Sequence, residues 1–303
     1  MNAASIELMI PSRRKDLGGL EVGRVLPWTQ RRMVGPFIFF DHIGPVSFPP
    51  QVPRSTDVRP HPHIGLATVT YLYEGEIVHR DSVGYHQTIR PGEVNWMTAG
   101  RGISHSERFD TLRERGGPLH GIQAWVALPE TAEETEPGFV HFDSADLPAH
   151  VENGLSVKVI AGSAYGMTSP VTTHSPLFYA HLELEPDRTM DVCGGYSERA
   201  VYVAQGCVRI DGEQYEPGQM AVLAPGAMPA ITALERSIVM LLGGEPLGPR
   251  HIWWNFVSSS KERIEQAKAD WRAGRIKLPV GDDQEFIPLP EDPPVTLKPE
   301  PMS

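Results

Sequence analysis

The sequence predicts an all-β protein in which a sandwich or barrel of short antiparallel strands occurs twice. Three observations carry the expectation. Between Leu66 and Phe109, β-branched and aromatic runs alternate with turn residues at close intervals. Glycine and proline number 29 each among 303 residues, an excess over the usual ~12% that suits many short strands joined by turns. A weaker copy of the same turn–strand–loop order begins about 126 residues further on.

The elements follow in order. Leu66–Tyr73 is a β-branched and aromatic strand stopped by Glu74-Gly75, and Glu76–Arg80 is a second, stopped by Asp81-Ser82-Val83-Gly84. Tyr85–Ile89 precedes the turn Arg90-Pro91-Gly92-Glu93. Val94–Met97 then leads into the loop Thr98-Ala99-Gly100-Arg101-Gly102, and Ile103–Phe109 closes the series. In the later half, Ala200–Gln205 and Cys207–Ile210 are the matching strands. Pro217-Gly218…Pro225-Gly226 repeats the nine-residue step of Pro91-Gly92…Ala99-Gly100, which points to a duplicated β domain. The link Pro129–Gly138, with Glu130, Glu133, Glu134 and Glu136, reads as a solvated excursion. Ser259-Ser260-Lys261-Glu262 is a capping box that opens a helix carrying Ile264, Ala267 and Trp271 on one face, with Gly274 as its stop. From Phe286 onward, six prolines in 18 residues describe an extended strap.

Composition excludes several functions. The chain has 27 basic and 38 acidic residues, a formal charge of −11, so it repels phosphate backbones and anionic lipid and neither nucleic acid nor membrane is expected as a partner. Cys193 and Cys207 are the only cysteines, too few for a disulfide scaffold or a thiolate zinc site. The opening residues lack a basic stretch followed by an apolar one, and no apolar run approaches ~18 residues, so a cytoplasmic location is expected.

Chemistry concentrates in two pairs, His61-Pro62-His63 and His105-Ser106-Glu107. Residues i and i+2 of an extended chain point to one face, so each pair offers two ligands on one side. Corresponding members lie 44 residues apart, and closure of the sheet brings the pairs together. Three imidazoles and a carboxylate suit a divalent ion such as iron, nickel, copper, zinc, manganese or cobalt, and an octahedral ion keeps two positions open. A closed structural zinc site would use all four donors. His42 and His120 read as hydrogen-bonded structural residues. His79, His86, His141, His150, His174, His181 and His251 have no partner at a useful spacing.

The stretch Phe39-Phe40-Asp41-His42-Ile43-Gly44-Pro45, then His61-Pro62-His63-Ile64-Gly65, then Gly92 to Glu107 with Trp96-Met97-Thr98-Ala99-Gly100-Arg101-Gly102-Ile103-Ser104-His105, resembles the pirin family of bicupins. Gly243-Gly244-Glu245-Pro246-Leu247 and Trp253-Trp254-Asn255-Phe256-Val257 resemble its C-terminal half. The resemblance implies two cupin barrels of the double-stranded β-helix (jelly-roll) type facing each other, with a short C-terminal helix. It implies one metal, iron first, held by His61, His63, His105 and Glu107. Ala67, where such proteins often carry glutamate, alters the pocket without removing a ligand. The expected divisions are residues 1–130 as the metal-binding domain, 131–285 as a second cupin domain that includes the helix at about 259–273, and 286–303 as the tail. Projecting the ligands through the repeat gives Val192, Gly194, Ile231 and Ala233, none able to ligate.

The resemblance further implies a quercetin 2,3-dioxygenase type of oxidoreductase acting on a small flavonol-like substrate and O2. Glu107 is then the catalytic base, while Trp96, Met97, Phe39 and Phe40 are candidates for an apolar wall whose commoner role is barrel core. The other reading is a metal- or redox-sensing regulator that binds a protein partner without turnover.

Overall fold

The computed structural model describes residues 5–291. Strands dominate, with one helix of three turns near the C-terminus, Lys261–Arg272, and a single-turn helix at Asp110–Arg115. Among the described residues no helix is long and apolar enough to cross a membrane.

The chain divides into two compact units, and they are interleaved rather than sequential. Among the described residues, one comprises 5–15, 22–42 and 142–246; the other comprises 16–21, 43–141 and 247–291. This differs from a division at residue 130. The N-terminal segment packs with the later barrel and the C-terminal segment with the earlier one. The strand Ile6–Pro11 pairs antiparallel with Gln219–Leu223, Met9 opposite Ala221.

In the unit built around residues 142–246, a sheet runs in the order Ile6–Pro11, Gln219–Leu223, Glu198–Gln205, Ser237–Gly244, Leu177–Leu184, Leu155–Ala164, Ala149–Glu152. A second sheet runs Thr189–Asp191, Ala230–Ala233, Val208–Ile210, Glu213–Tyr215. Alternate residues of both turn inward into one apolar cluster that includes Val201, Val203, Leu241, Val208 and Ile231.

In the other unit the expected strands form with boundaries moved by a residue or two: Leu66–Glu74, Ile77–Asp81, His86–Ile89, Val94–Thr98 and Ile103–Arg108. Leu66–Glu74 lies between Val94–Thr98 and Gly117–Ala127. A four-stranded sheet runs Val58–His63, Ile103–Arg108, Ile77–Asp81, His86–Ile89. That order, first strand, last strand, then a hairpin, is the order of the four-stranded sheet in the sister unit, so the repeat in the sequence is a repeat of topology.

The C-terminal segment holds this unit together. The helix begins at Ser260, whose hydroxyl accepts from the Arg263 N–H at 3.2 Å, so the cap lies one residue later than the capping box places it. Ser259 is diverted because its N–H donates to Glu133 at 2.8 Å. Glu133 is therefore not part of a solvated excursion. It is 5% exposed, accepts from Ser258 Oγ at 2.8 Å and lies 3.1 Å from Arg250 Nε, so cation and hydroxyl donors offset the burial of its charge. Ile264, Ala267 and Trp271 pack on Ile64 and Phe256. The start of the strap is tied as well. The Trp271 indole N–H donates to the Ile287 carbonyl at 3.1 Å, and the Ile287 N–H donates to that of Pro60 at 2.8 Å. The remainder of the expected strap, 292–303, lies outside the described residues.

Gly65, two residues past His63, brings the end of the strand that carries the histidine pair against this segment. Its φ is +67°, and a Cβ there would stand 2.0 Å from the Val257 carbonyl oxygen. Gly65→Ala is expected to lower stability by about 3 kcal/mol, through left-handed strain and a forced backbone shift, read as a lower urea midpoint at unchanged slope.

Candidate metal centre

Three of the four side chains, His61, His63 and His105, meet because their strands are neighbours. In the antiparallel register His61 stands opposite His105 and Ile103 opposite His63. Their rings gather with centroid separations of 4.4 Å (His61–His105), 5.0 Å (His61–His63) and 5.1 Å (His63–His105). One nitrogen from each ring lies within 4.8 Å of the others, and the Nε2 atoms of His63 and His105 are 3.2 Å apart. All three side chains are buried, and the edge of Trp125 closes over His63 at 5.1 Å.

Glu107 is on the same strand, two residues past His105, but outside the group of three whose ligand atoms converge. The register explains its offset. Between His105 and Glu107 the partner on the neighbouring strand moves from His61 to Val58, three residues against two, so a bulge separates them.

Electrostatics favour a metal. Burial holds the His61 imidazole down to about 4, and it holds His63 and His105 well below the ordinary histidine value, with neighbouring imidazoles pressing the same way. All three are neutral at pH 7 and present lone pairs. Burial pushes the Glu107 carboxyl the other way, up to about 7. The ring hydrogens of two of these histidines are located by carbonyls that can only accept: His61 Nδ1–H donates to Arg59 O at 2.9 Å, and His63 Nδ1–H to Asn255 O at 3.2 Å. The Nε2 atoms of His61 and His63 are therefore bare. Bare imidazole nitrogens converging in a buried space are what a divalent first-row ion needs, so the residues fit such an ion.

Three residues around the site escape the reading of the sequence. Asn255 sits in the two-residue turn between His251–Trp253 and Phe256–Ser258, where Trp254 takes φ +52°. Spacing could not link it to His63, 192 positions away. His79 and Asp81 lie on the strand next to His105, with His105 opposite Asp81 and Glu107 opposite His79. His79 Nδ1 is 3.3 Å from His105 Nδ1, and His79 Nε2 is 3.0 Å from Asp81 Oδ2. His79 is thus not without a partner, contrary to the expectation from its spacing; the signal is the His79-x-Asp81 step, the same i, i+2 rule that marks the two candidate pairs.

Other candidates resolve into packing. Trp96 and Met97 are buried in the barrel, and Phe40 meets the edge of Tyr202 at 4.8 Å. His42 Nδ1 pairs with the Tyr202 hydroxyl at 2.7 Å, as befits a structural histidine. In the sister unit strand pairing sets Ile231 opposite Met190, where the first unit sets His105 opposite His61. Val192, Ile231 and Ala233 are all buried in its apolar core.

Known proteins agree with this architecture. The family model for pirin matches residues 19–126, and that for the pirin C-terminal cupin domain matches 179–277. A pirin-like protein of Caulobacter vibrioides is 62% identical over 287 residues, covering 94% of this chain and 100% of that protein. The crystal structure of a quercetin 2,3-dioxygenase from Acinetobacter baumannii superposes with a TM-score of 0.88 at 34% identity, covering 96% of this chain and 97% of that one. At 20% identity, a bacterial pirin from Escherichia coli solved with nickel(II) shares the fold, with a TM-score of 0.61 over 79% of this chain and 99% of that one. The chain belongs to the pirin family, and its fold is that of a protein with two cupin domains.

Proposed function

We propose that the protein is a metal-dependent dioxygenase that opens a flavonol such as quercetin with O2, its ion, iron first among the candidates, held by His61, His63, His105 and Glu107. The observation that carries the reading is the convergence of three buried, neutral imidazoles within 4.8 Å. Likeness to the Acinetobacter quercetin 2,3-dioxygenase supports the substrate class. Bound there, the ion supplies Lewis acidity and one-electron chemistry for bringing a chelating substrate and O2 together.

The chain's own residues do the rest. His61, His63 and His105 give three neutral donors, so Glu107 brings the only negative charge of the four and a divalent ion keeps a net positive charge for an anionic oxygen ligand. Coordination lowers the proton affinity of the Glu107 carboxylate, so it takes the proton of the flavonol hydroxyl on swinging away from the ion. The Trp125 ring shields one imidazole from water. Both atoms of O2 enter the product of a dioxygenase, so no external reductant is required.

The test is aerobic turnover of quercetin followed by oxygen uptake, with elemental analysis of the same sample. Turnover is expected with metal in place and is expected to disappear on chelation and in His61→Ala. Fully loaded protein that consumed no oxygen across a panel of flavonols would overturn this reading in favour of a metal- or redox-sensing regulator acting through protein contacts.

A further inference from the structure

We propose that Asp81 and His79 form a hydrogen-bonded relay that dictates which nitrogen of His105 is available to the metal, making both of them positioning residues. The inference rests on His105 being a ligand. His61 and His63 are oriented by backbone carbonyls, which accept whatever the side chains do. His105 alone is oriented by another titratable ring, which can donate or accept, so something must choose for it.

Asp81 makes the choice. It is fully buried, and its Oδ1 accepts the backbone N–H groups of Val83, Gly84 and Tyr85 at 3.0, 2.9 and 3.0 Å. Those three donors pin the carboxylate and leave Oδ2 facing His79 Nε2 at 3.0 Å. The hydrogen of His79 must then sit on Nε2, and its Nδ1 is a bare acceptor. Phe139 stacks on the His79 ring at 4.5 Å, with 20° between the planes, and keeps it from turning. His105 Nδ1–H donates to that acceptor across 3.3 Å, and Nε2 of His105 is left with its lone pair toward His63. With the opposite arrangement a hydrogen on His105 Nε2 would occupy the place of the ion. The sheet builds the relay into the fold, since Asp81 and His105 are opposite residues of paired strands.

Asp81→Asn inverts the relay with one atom changed. The three backbone donors hold the amide oxygen, so the NH2 group faces His79 Nε2 and drives the hydrogen of His79 to Nδ1. His105 must then accept at Nδ1 and carry its hydrogen on Nε2.

Full-length protein loaded with zinc(II), which is diamagnetic, permits nitrogen NMR of labelled histidines. In the wild type a scalar coupling is expected between a protonated Nδ1 (His105) and an unprotonated Nδ1 (His79) across the N–H···N bond. Asp81→Asn is expected to lose that coupling and to bind zinc about 10–100-fold more weakly in chelator competition, the usual cost of disturbing a group behind a ligand. Absence of the coupling in the wild type overturns the relay even if the variant fails to fold. A folded Asp81→Asn protein with wild-type zinc affinity, beside a His105→Ala protein that has lost it, overturns the relay and spares the metal site. Unchanged zinc affinity in His105→Ala removes the ligand reading on which the relay stands.

Discussion

Replacing His105 by alanine is expected to weaken metal binding by more than about 100-fold, beyond the range seen when only a supporting group is disturbed. The loss is large because the three imidazoles act as a unit: His105 Nε2 lies 3.2 Å from that of His63, and its ring packs 4.4 Å from that of His61. The cost falls on the loaded state. In the metal-free protein the variant removes a buried polar ring from a crowd of like rings, so its unfolding temperature without metal should stay within a few degrees of wild type. With metal in excess, the wild type gains the stabilisation that binding to the folded state confers, and the variant does not. Differential scanning calorimetry with and without added ion reads both halves. A metal-induced shift that survived in His105→Ala would place the ion elsewhere.

The second large effect concerns Glu107 and pH. Its carboxyl titrates near 7 because burial disfavours the charged form, whereas His61, held near 4, has shed its proton long before. In the proposed site metal binding needs the carboxylate, so there the ion must displace a proton from Glu107 below pH 7 and displaces none above it. Apparent affinity should therefore fall about tenfold per pH unit on descending from 7 to 5, with close to one proton released per ion bound at pH 6, and should be flat above 7. The histidines add nothing in this window. Glu107→Gln should abolish both the slope and the proton release while binding more weakly at pH 8. Calorimetric titration in buffers of different ionisation heat counts the protons. A wild-type slope of zero between pH 5 and 7 would remove Glu107 from the ligand set.

Much of the architecture was legible because it is written at short range. Leu66–Glu74 and Ile103–Arg108 are strands by composition, their ends are marked by Gly75 and by the Gly100-Arg101-Gly102 loop, and Ser260 with Gly274 brackets the helix within a residue. The candidate donors were legible for the same reason, since a period of two puts His61 with His63 on one face whatever the strand pairs with. His79 and Asp81 obey that period too, but a two-residue pattern acquires meaning only from the strand beside it.

The sequence by itself determined the strands of the meander from Leu66 to Arg108, which donors share a face and that the β unit occurs twice. These follow from side-chain shape and from the alternation of an extended backbone. Tertiary structure alone decided that the C-terminal segment serves the earlier barrel, that Glu133 is buried against Arg250, that Asn255 fixes the hydrogen of His63 and that Asp81 reaches His105 through His79. Those depend on register between strands far apart in the chain, and register is set by closing the whole sheet around its core, which no local run of residues encodes.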